Sequence, residues 1–290
     1  MTRRGALLFA AMCLIWGIPY LLIRVAVREL APATLVFLRT AIAALILTPV
    51  AAYRGELRPL LRHWRPLLAY TAVEVAIPWV LLARAETKLT SSLTGLLIAA
   101  VPLVGAVIVT LTGDRERLGG RRWFGLLVGI AGVAAIVGLN LGQINVVALV
   151  EIGFVAVGYA VGPIILSRSM TDLPAYGVVA ASLVLTGIVY APFAAANWPS
   201  EVPSAHVVES VLGLAIICTA LAFLVFFALI AEVGPVRATV ITYINPAVAA
   251  VLGVTLLSEH LTSGMVVGFA LVLTGCVLAT GRSPETVPEP

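Results

Sequence analysis

Two stretches of the chain, AAVPLVGAVIVTLTGDRERL (99–118) and YINPAVAAVLGVTLLSEHL (243–261), carry one pattern twice. Each is an apolar run that contains a proline and leads to a glutamate. Glu116 stands 14 positions after Pro102, and Glu259 stands 13 positions after Pro246. Glycines follow at one shared spacing, Gly125 and Gly132 in the first copy and Gly268 and Gly275 in the second. Upstream, Pro32 and Pro49 match Pro174 and Pro192. The chain therefore reads as a duplication, with one copy at 1–142 and the other at 143–281. The Pro-rich segment 282–290 reads as a disordered cytoplasmic tail.

Composition says where such a chain lives. Of 290 residues, 61% are hydrophobic and 11% charged, and the mean hydropathy is +1.10. A soluble domain has roughly 45–50% apolar and about 25% charged residues, so soluble and disordered classes are excluded. Ten apolar segments are expected, at about 5–27, 31–52, 66–86, 91–112, 121–140, 145–167, 174–196, 208–230, 235–257 and 262–281. Backbone groups in hydrocarbon need internal partners, and these runs lack the alternation of a membrane barrel, so each is read as a helix. The expected fold is all-α: a polytopic membrane protein of ten transmembrane helices in two five-helix repeats. An odd number of helices per repeat inverts the second copy in the membrane.

The net charge of +4 does not point to nucleic acid. Thirteen of the 18 Lys and Arg residues fall on one side if the N-terminus is cytoplasmic, which places both termini inside by the positive-inside rule. The first apolar run continues past Trp16 and Pro19 with no cleavage site, so it reads as a membrane helix rather than a signal peptide. Cys13, Cys218 and Cys276 all lie in apolar runs, with no paired spacing for a metal.

Several residues invite a functional reading. Glu74, in AYTAVEVAIPWVLL, places a carboxylate inside a membrane helix. It must face a partner or a wet cavity, or be protonated. It reads either as a proton-coupling or substrate-amine site, or as a structural partner, Arg39 being one choice. Arg39 reads as a carboxylate ligand or as a packing anchor. Arg24 and Arg84 read as snorkelling anchors at helix ends. Thr239, Thr242, Tyr243 and Pro246 recur at helical spacing on one face, as a cavity lining or as ordinary interhelical packing. Met12, Trp16 and Tyr20 form a second such stripe, and Tyr159 is a candidate of the same kind. Gly158 and Gly162 read as a close helix contact. Pro102, Pro246, Glu116 and Glu259 read as structural or gating positions, the glutamates through capping the next helix.

The order of these features resembles a known family. The opening CLIWGIPYLLIRVAVRELAPATLVFLRTAIAALIL (13–47), with Trp16-Gly17, Pro32 and Arg39, is similar to EamA-type members of the drug/metabolite transporter superfamily. So is the close ALIAEVGPVRATVITYINPAVAAVLGVTLLSEHLTSGMVVGFALVLTGCVL (228–278), with Pro246, Glu259, Leu261, Gly268 and Gly275. The resemblance implies a ten-helix carrier of a small metabolite, often an exporter of amino acids or related compounds, with a central cavity between the halves. Glu74, and a sixth helix without Trp-Gly, depart from the family pattern. The expected partners are a small-molecule substrate, the lipid bilayer and protons, and neither a cofactor nor nucleic acid is expected. Other readings are a carrier of phosphorylated or nucleotide-sugar substrates, an integral-membrane enzyme, and an interaction protein. No HExxH, Walker A or GxSxG motif supports an enzyme.

Overall fold

The computed structural model describes residues 1–111, 120–138 and 145–280. Glu116 and the tail 282–290 lie outside the described residues. The described chain is helical throughout, without a strand, and it forms a polytopic membrane protein. The spans are α1 (Arg3–Ala26), α2 (Pro32–Tyr53), α3 (Arg58–Glu86), α4 (Ser91–Leu111), α5 (Gly120–Gly138), α6 (Val146–Ser169), α7 (Ala175–Ala196) and α8 (Ala205–Val233). They are followed by α9 (Ile241–Leu257), shorter and preceded by the turn Pro235–Ala238, and by α10 (Ser263–Thr280). Leu7, Leu45, Phe124, Leu127 and Val146 are exposed on the outer surface, which suits lipid and not water.

Where the helices bend, local chemistry gives the cause. In α1 the helix breaks between Arg3–Ile15 and Pro19–Ala26. Pro19 has no N–H, and the Gly17 N–H turns back to the Leu14 carbonyl at 2.9 Å. Gly17 is required there, because a Cβ would lie 2.5 Å from the Val248 side chain of α9. In α4, Pro102 opens the second piece, Val101–Leu111, after Ser91–Ile98. The segment expected as one helix at 235–257 is likewise broken. Thr242 and Tyr243 donate from their N–H groups to the Thr239 and Val240 carbonyls, a tightened turn that takes Thr239 out of the helix.

Two departures were not expected from the sequence. Thr71–Ala76 in α3 and Gly213–Leu221 in α8 wind as π-helix. Such wider turns leave backbone groups and side chains displaced from the α-helical register. Both sit in the middle of their spans, one in each half of the chain. The third helix also begins at Arg58, earlier than expected, with a 3-10 turn over Arg58–His63, and Glu74 lies near its middle.

The glycines explain the closest packing. α5 and α10 run against each other along their length. A Cβ on Gly132 would lie 2.6 Å from the Val272 nitrogen and 2.7 Å from the Gly268 oxygen, and one on Gly125 would lie 2.6 Å from the Ala279 nitrogen. Small residues let these backbones meet. α2 and α7 form a second intimate pair.

Loop carboxylates tie the helix ends. Glu56, after α2, accepts from the Gly177 N–H at 3.0 Å near the start of α7. Glu29, after α1, accepts from the Ser204 N–H and hydroxyl, both at 2.7 Å, at the start of α8. Arg3, Tyr53 and Thr280 share one face, called here the terminal face. The opposite, far face carries Glu29, Glu86 and Glu259.

Candidate functional site

Five helices bring polar side chains together near mid-span. Arg39 of α2 is buried, with 8% exposure. Its Nε donates to the Thr219 hydroxyl of α8 at 2.9 Å, and its guanidinium lies 3.7 Å from the centre of the Trp79 ring of α3. Thr219 belongs to the π turn of α8 and itself donates to the Leu214 carbonyl at 2.7 Å. Stacking of a guanidinium on indole supplies attraction where water cannot. Tyr159 of α6 packs against the buried cluster that contains Trp79. Tyr20 of α1 is buried in the neighbouring cluster, against which Tyr159 also packs.

Glu74 comes from the other π turn. Its Oε2 is shut away from solvent without a hydrogen-bond partner. Gly162 of α6 makes the space it fills, since a Cβ there would collide with the carboxylate. No ion pair joins Glu74 to Arg39 among the described residues; Arg39 spends its Nε on Thr219. The side chain as a whole is half-buried, and a carboxylate oxygen shut away without a partner is costly if ionised, which favours a proton or a cationic group beside it.

A second contact mirrors the Arg39 bond. Thr71, at the head of the α3 π turn, donates its hydroxyl to Ser182 of α7 at 3.0 Å. The offset that carries Pro49 onto Pro192 and Glu116 onto Glu259 also carries Arg39 onto Ser182. Each π turn is therefore bonded by the same position of a different half. Tyr190 of α7 adds a bond at 3.0 Å to the Ala76 carbonyl at the π turn's end.

The sequence-selected residues divide between places. Glu74, Arg39, Tyr159 and Tyr20 gather in or beside the mid-span group. Trp16 sits at the break of α1 and packs on α8, 4.7 Å from the Phe226 ring and 6.0 Å from Phe223. Thr239 and Thr242 are exposed near the terminal face. Tyr243 meets the Thr280 hydroxyl at 3.2 Å, away from the group. Pro102 lies at the α4 break and Pro246 is buried within α9.

Glu259 caps a helix, but not the next one. Its carboxylate accepts from the N–H groups of Ser91 and Ser92, both at 2.8 Å, and from their hydroxyls at 3.0 and 2.6 Å. It thus closes the start of α4, in the other half of the chain, where backbone donors are otherwise unmet. Arg24 and Arg84 also have protein partners: Arg24 donates to the Glu86 carbonyl, and Arg84 pairs with Glu151 at 2.8 Å.

Sequence reading passed over Trp79, Thr219 and Glu86. Glu86, at the end of an apolar run, was the one legible signal. Trp79 and Thr219 carry none, being ordinary residue types for a membrane helix. A cavity of about 450 Å³ opens on the far face between Leu38 and Ile42 of α2, the 198–203 loop and the start of α8; none of the selected residues lines it. Among the described residues no three His, Cys, Asp or Glu side chains converge on a metal position.

Comparison with known proteins agrees with this architecture. The profile of the EamA-like transporter family matches residues 3–138 and 149–281. An uncharacterized transporter YvbV of Bacillus subtilis is 25% identical over 288 residues, covering 97% of this chain and 92% of that protein. An uncharacterized inner membrane transporter YedA of Escherichia coli is 29% identical over 280 residues, covering 93% and 88%. A solved crystal structure of a protein superposes with a TM-score of 0.68 at 21% identity, covering 95% of this chain and 96% of that one; that likeness concerns the fold.

Proposed function

Since this chain belongs to the EamA-like transporter family, we propose that it moves a small metabolite, an amino acid or a related compound, across the cytoplasmic membrane by alternating access. The direction is export, and both chain ends face the cytoplasm. The moving parts are the two halves, 1–142 and 143–281, rocking about a site at mid-membrane. The substrate meets Arg39, Trp79, Tyr159 and Glu74, and Glu74 exchanges a proton as the site changes sides.

The observation that carries this reading is the Glu74 carboxylate. Its Oε2 lies near mid-span, shut from solvent and without a hydrogen-bond partner, against Gly162 of the second half. A charge so placed is rare in a membrane protein unless ions or substrate pass it. The wound-out π turns at Thr71–Ala76 and Gly213–Leu221 support it as well, because such turns gather at working sites.

The test is transport by the protein in lipid vesicles, with labelled amino acids offered against a preset proton gradient. Gradient-driven accumulation that Glu74→Gln abolishes is the expected result. Accumulation of a solute that is unchanged when the proton gradient is collapsed overturns the coupling. Failure of every amino acid and related compound to exchange overturns the substrate class.

A further inference from the structure

The proposed transport cycle uses Glu74 and leaves a second carboxylate of α3 without a role. Glu86 ends α3 at the far face and is 0% exposed. Neither carboxylate oxygen has a hydrogen-bond partner. Arg24 of α1 donates to the Glu86 backbone carbonyl rather than to its side chain. The charged and titratable groups that act on it are Arg24 and Tyr20 of α1, Arg39 of α2, Tyr159 of α6 and Glu259 beyond α9. Near it in the chain, Arg84 is paired with Glu151, and Lys88 is exposed in the turn after α3.

A short turn beyond Glu86, Ser91 and Ser92 open α4 and offer four donors to the Glu259 carboxylate. The fit is close: a Cβ on Gly253 of α9 would lie 2.8 Å from the Ser91 hydroxyl. This clasp holds the end of α9 against the start of α4, beside the turn that leads out of Glu86. A carboxylate shut behind it as an unpaired anion would cost several kcal/mol, whereas a carboxyl bearing a proton avoids that cost.

We propose that Glu86 is a second proton-binding carboxyl, serving the far-face end of the transport path, and that the clasp of Glu259 on Ser91 and Ser92 separates it from far-face water. This rests on the proton-coupled reading above and adds a site to it. The step is a reversible proton transfer. With the clasp open, a hydronium ion of the far-face water gives a proton to a Glu86 carboxylate oxygen: one O–H bond of the hydronium breaks and leaves water, and the carboxyl O–H bond forms; the return reverses this, and no electrons change hands. Glu86 then trades protons with the far side, and Glu74 holds the mid-membrane position.

Infrared spectra of the full chain in lipid at neutral pH test the proton. Glu86→Gln should remove one protonated-carboxyl band, and Glu86→Asp should shift that band rather than remove it. Spectra in which neither variant alters any band overturn the proposal. Glu74→Gln reports separately on the mid-span site: loss of a band there, with none at Glu86, sinks this inference alone, and the reverse sinks the Glu74 role alone. A water-soluble carbodiimide, with modification of Glu86 read by mass spectrometry, tests the clasp. Ser92→Ala and Glu259→Gln should each speed modification about fivefold or more, as expected when a local opening is made easier. Equal rates in the wild type and both variants overturn the clasp's role.

Discussion

The carboxylate of Glu74 occupies the space that a side chain at position 162 would need. A Cβ built on Gly162 would lie 2.8 Å from the Glu74 Cδ and closer still to Oε2. Gly162→Ala should therefore displace the carboxylate and destabilise the protein by about 1–3 kcal/mol, as overpacking does. A double-mutant cycle measures it. In a Glu74→Ala background the same change should cost far less, and equal costs in both backgrounds would refute the relationship.

Arg39 needs its planar head. Lysine at this position cannot both stack on Trp79 and donate from a secondary nitrogen to Thr219. Arg39→Lys should lower stability by about 1.5–3 kcal/mol, the range for a hydrogen bond to a charged group. Thermal unfolding in detergent checks this. Thr219→Val should show a comparable loss, and the double variant should lose less than the sum; strict additivity would mean that the bond contributes nothing.

The α5–α10 contact admits no side chain at Gly132 or Gly268. Replacing either with leucine should reduce the melting temperature and the folded yield, by about 1–3 kcal/mol or more. Gly153→Leu is the control, since a Cβ there meets nothing within 4 Å. If Gly153→Leu and Gly132→Leu behave alike, backbone contact is not what these glycines provide.

Glu29 sits outside the membrane-spanning segments. The Ser204 hydroxyl and N–H, bonded to its carboxylate, hold its pKa below the ordinary glutamate value. A depressed pKa adds stability that is present above the unfolded value and is lost as pH falls through the folded one. The melting temperature should therefore carry a Glu29 contribution at neutral pH that fades under acid. Glu29→Gln should remove that increment near pH 7 and converge with the wild type at low pH. A gap that widens on acidification would show the sign to be wrong.

Orientation can be read directly. Reporters inserted in the turn after Tyr53 and fused after Thr280 should both read as cytoplasmic, and one placed between Trp198 and Ser204 should read as external. A split between the first two would break the even number of crossings.

Much of the architecture was legible because lipid permits so few solutions. A run of apolar residues long enough to cross must close its own hydrogen bonds, so helix follows from composition. Pro19 and Pro102 mark breaks because proline has no N–H to donate, whatever surrounds it. The glycines 125, 132, 268 and 275 were legible as a shared spacing, and the structure adds that they line the α5–α10 contact. The sequence suggested that Glu259 caps the next helix; the structure sets its carboxylate on the start of α4 instead, which is distant in sequence and adjacent only in the fold.

Local chemistry thus settled the helices, their number and their duplication, as well as the presence of a titratable carboxyl group at Glu74. Packing alone decided how that group is housed. The π turns of α3 and α8 carry no composition of their own; they exist where neighbouring helices accept a wider turn. Whether Arg39 meets Glu74 or Thr219, and whether Glu86 has any partner, depends on how five helices rotate against one another. Those rotations are set by the sum of many weak contacts along whole helices, which no short stretch of residues contains.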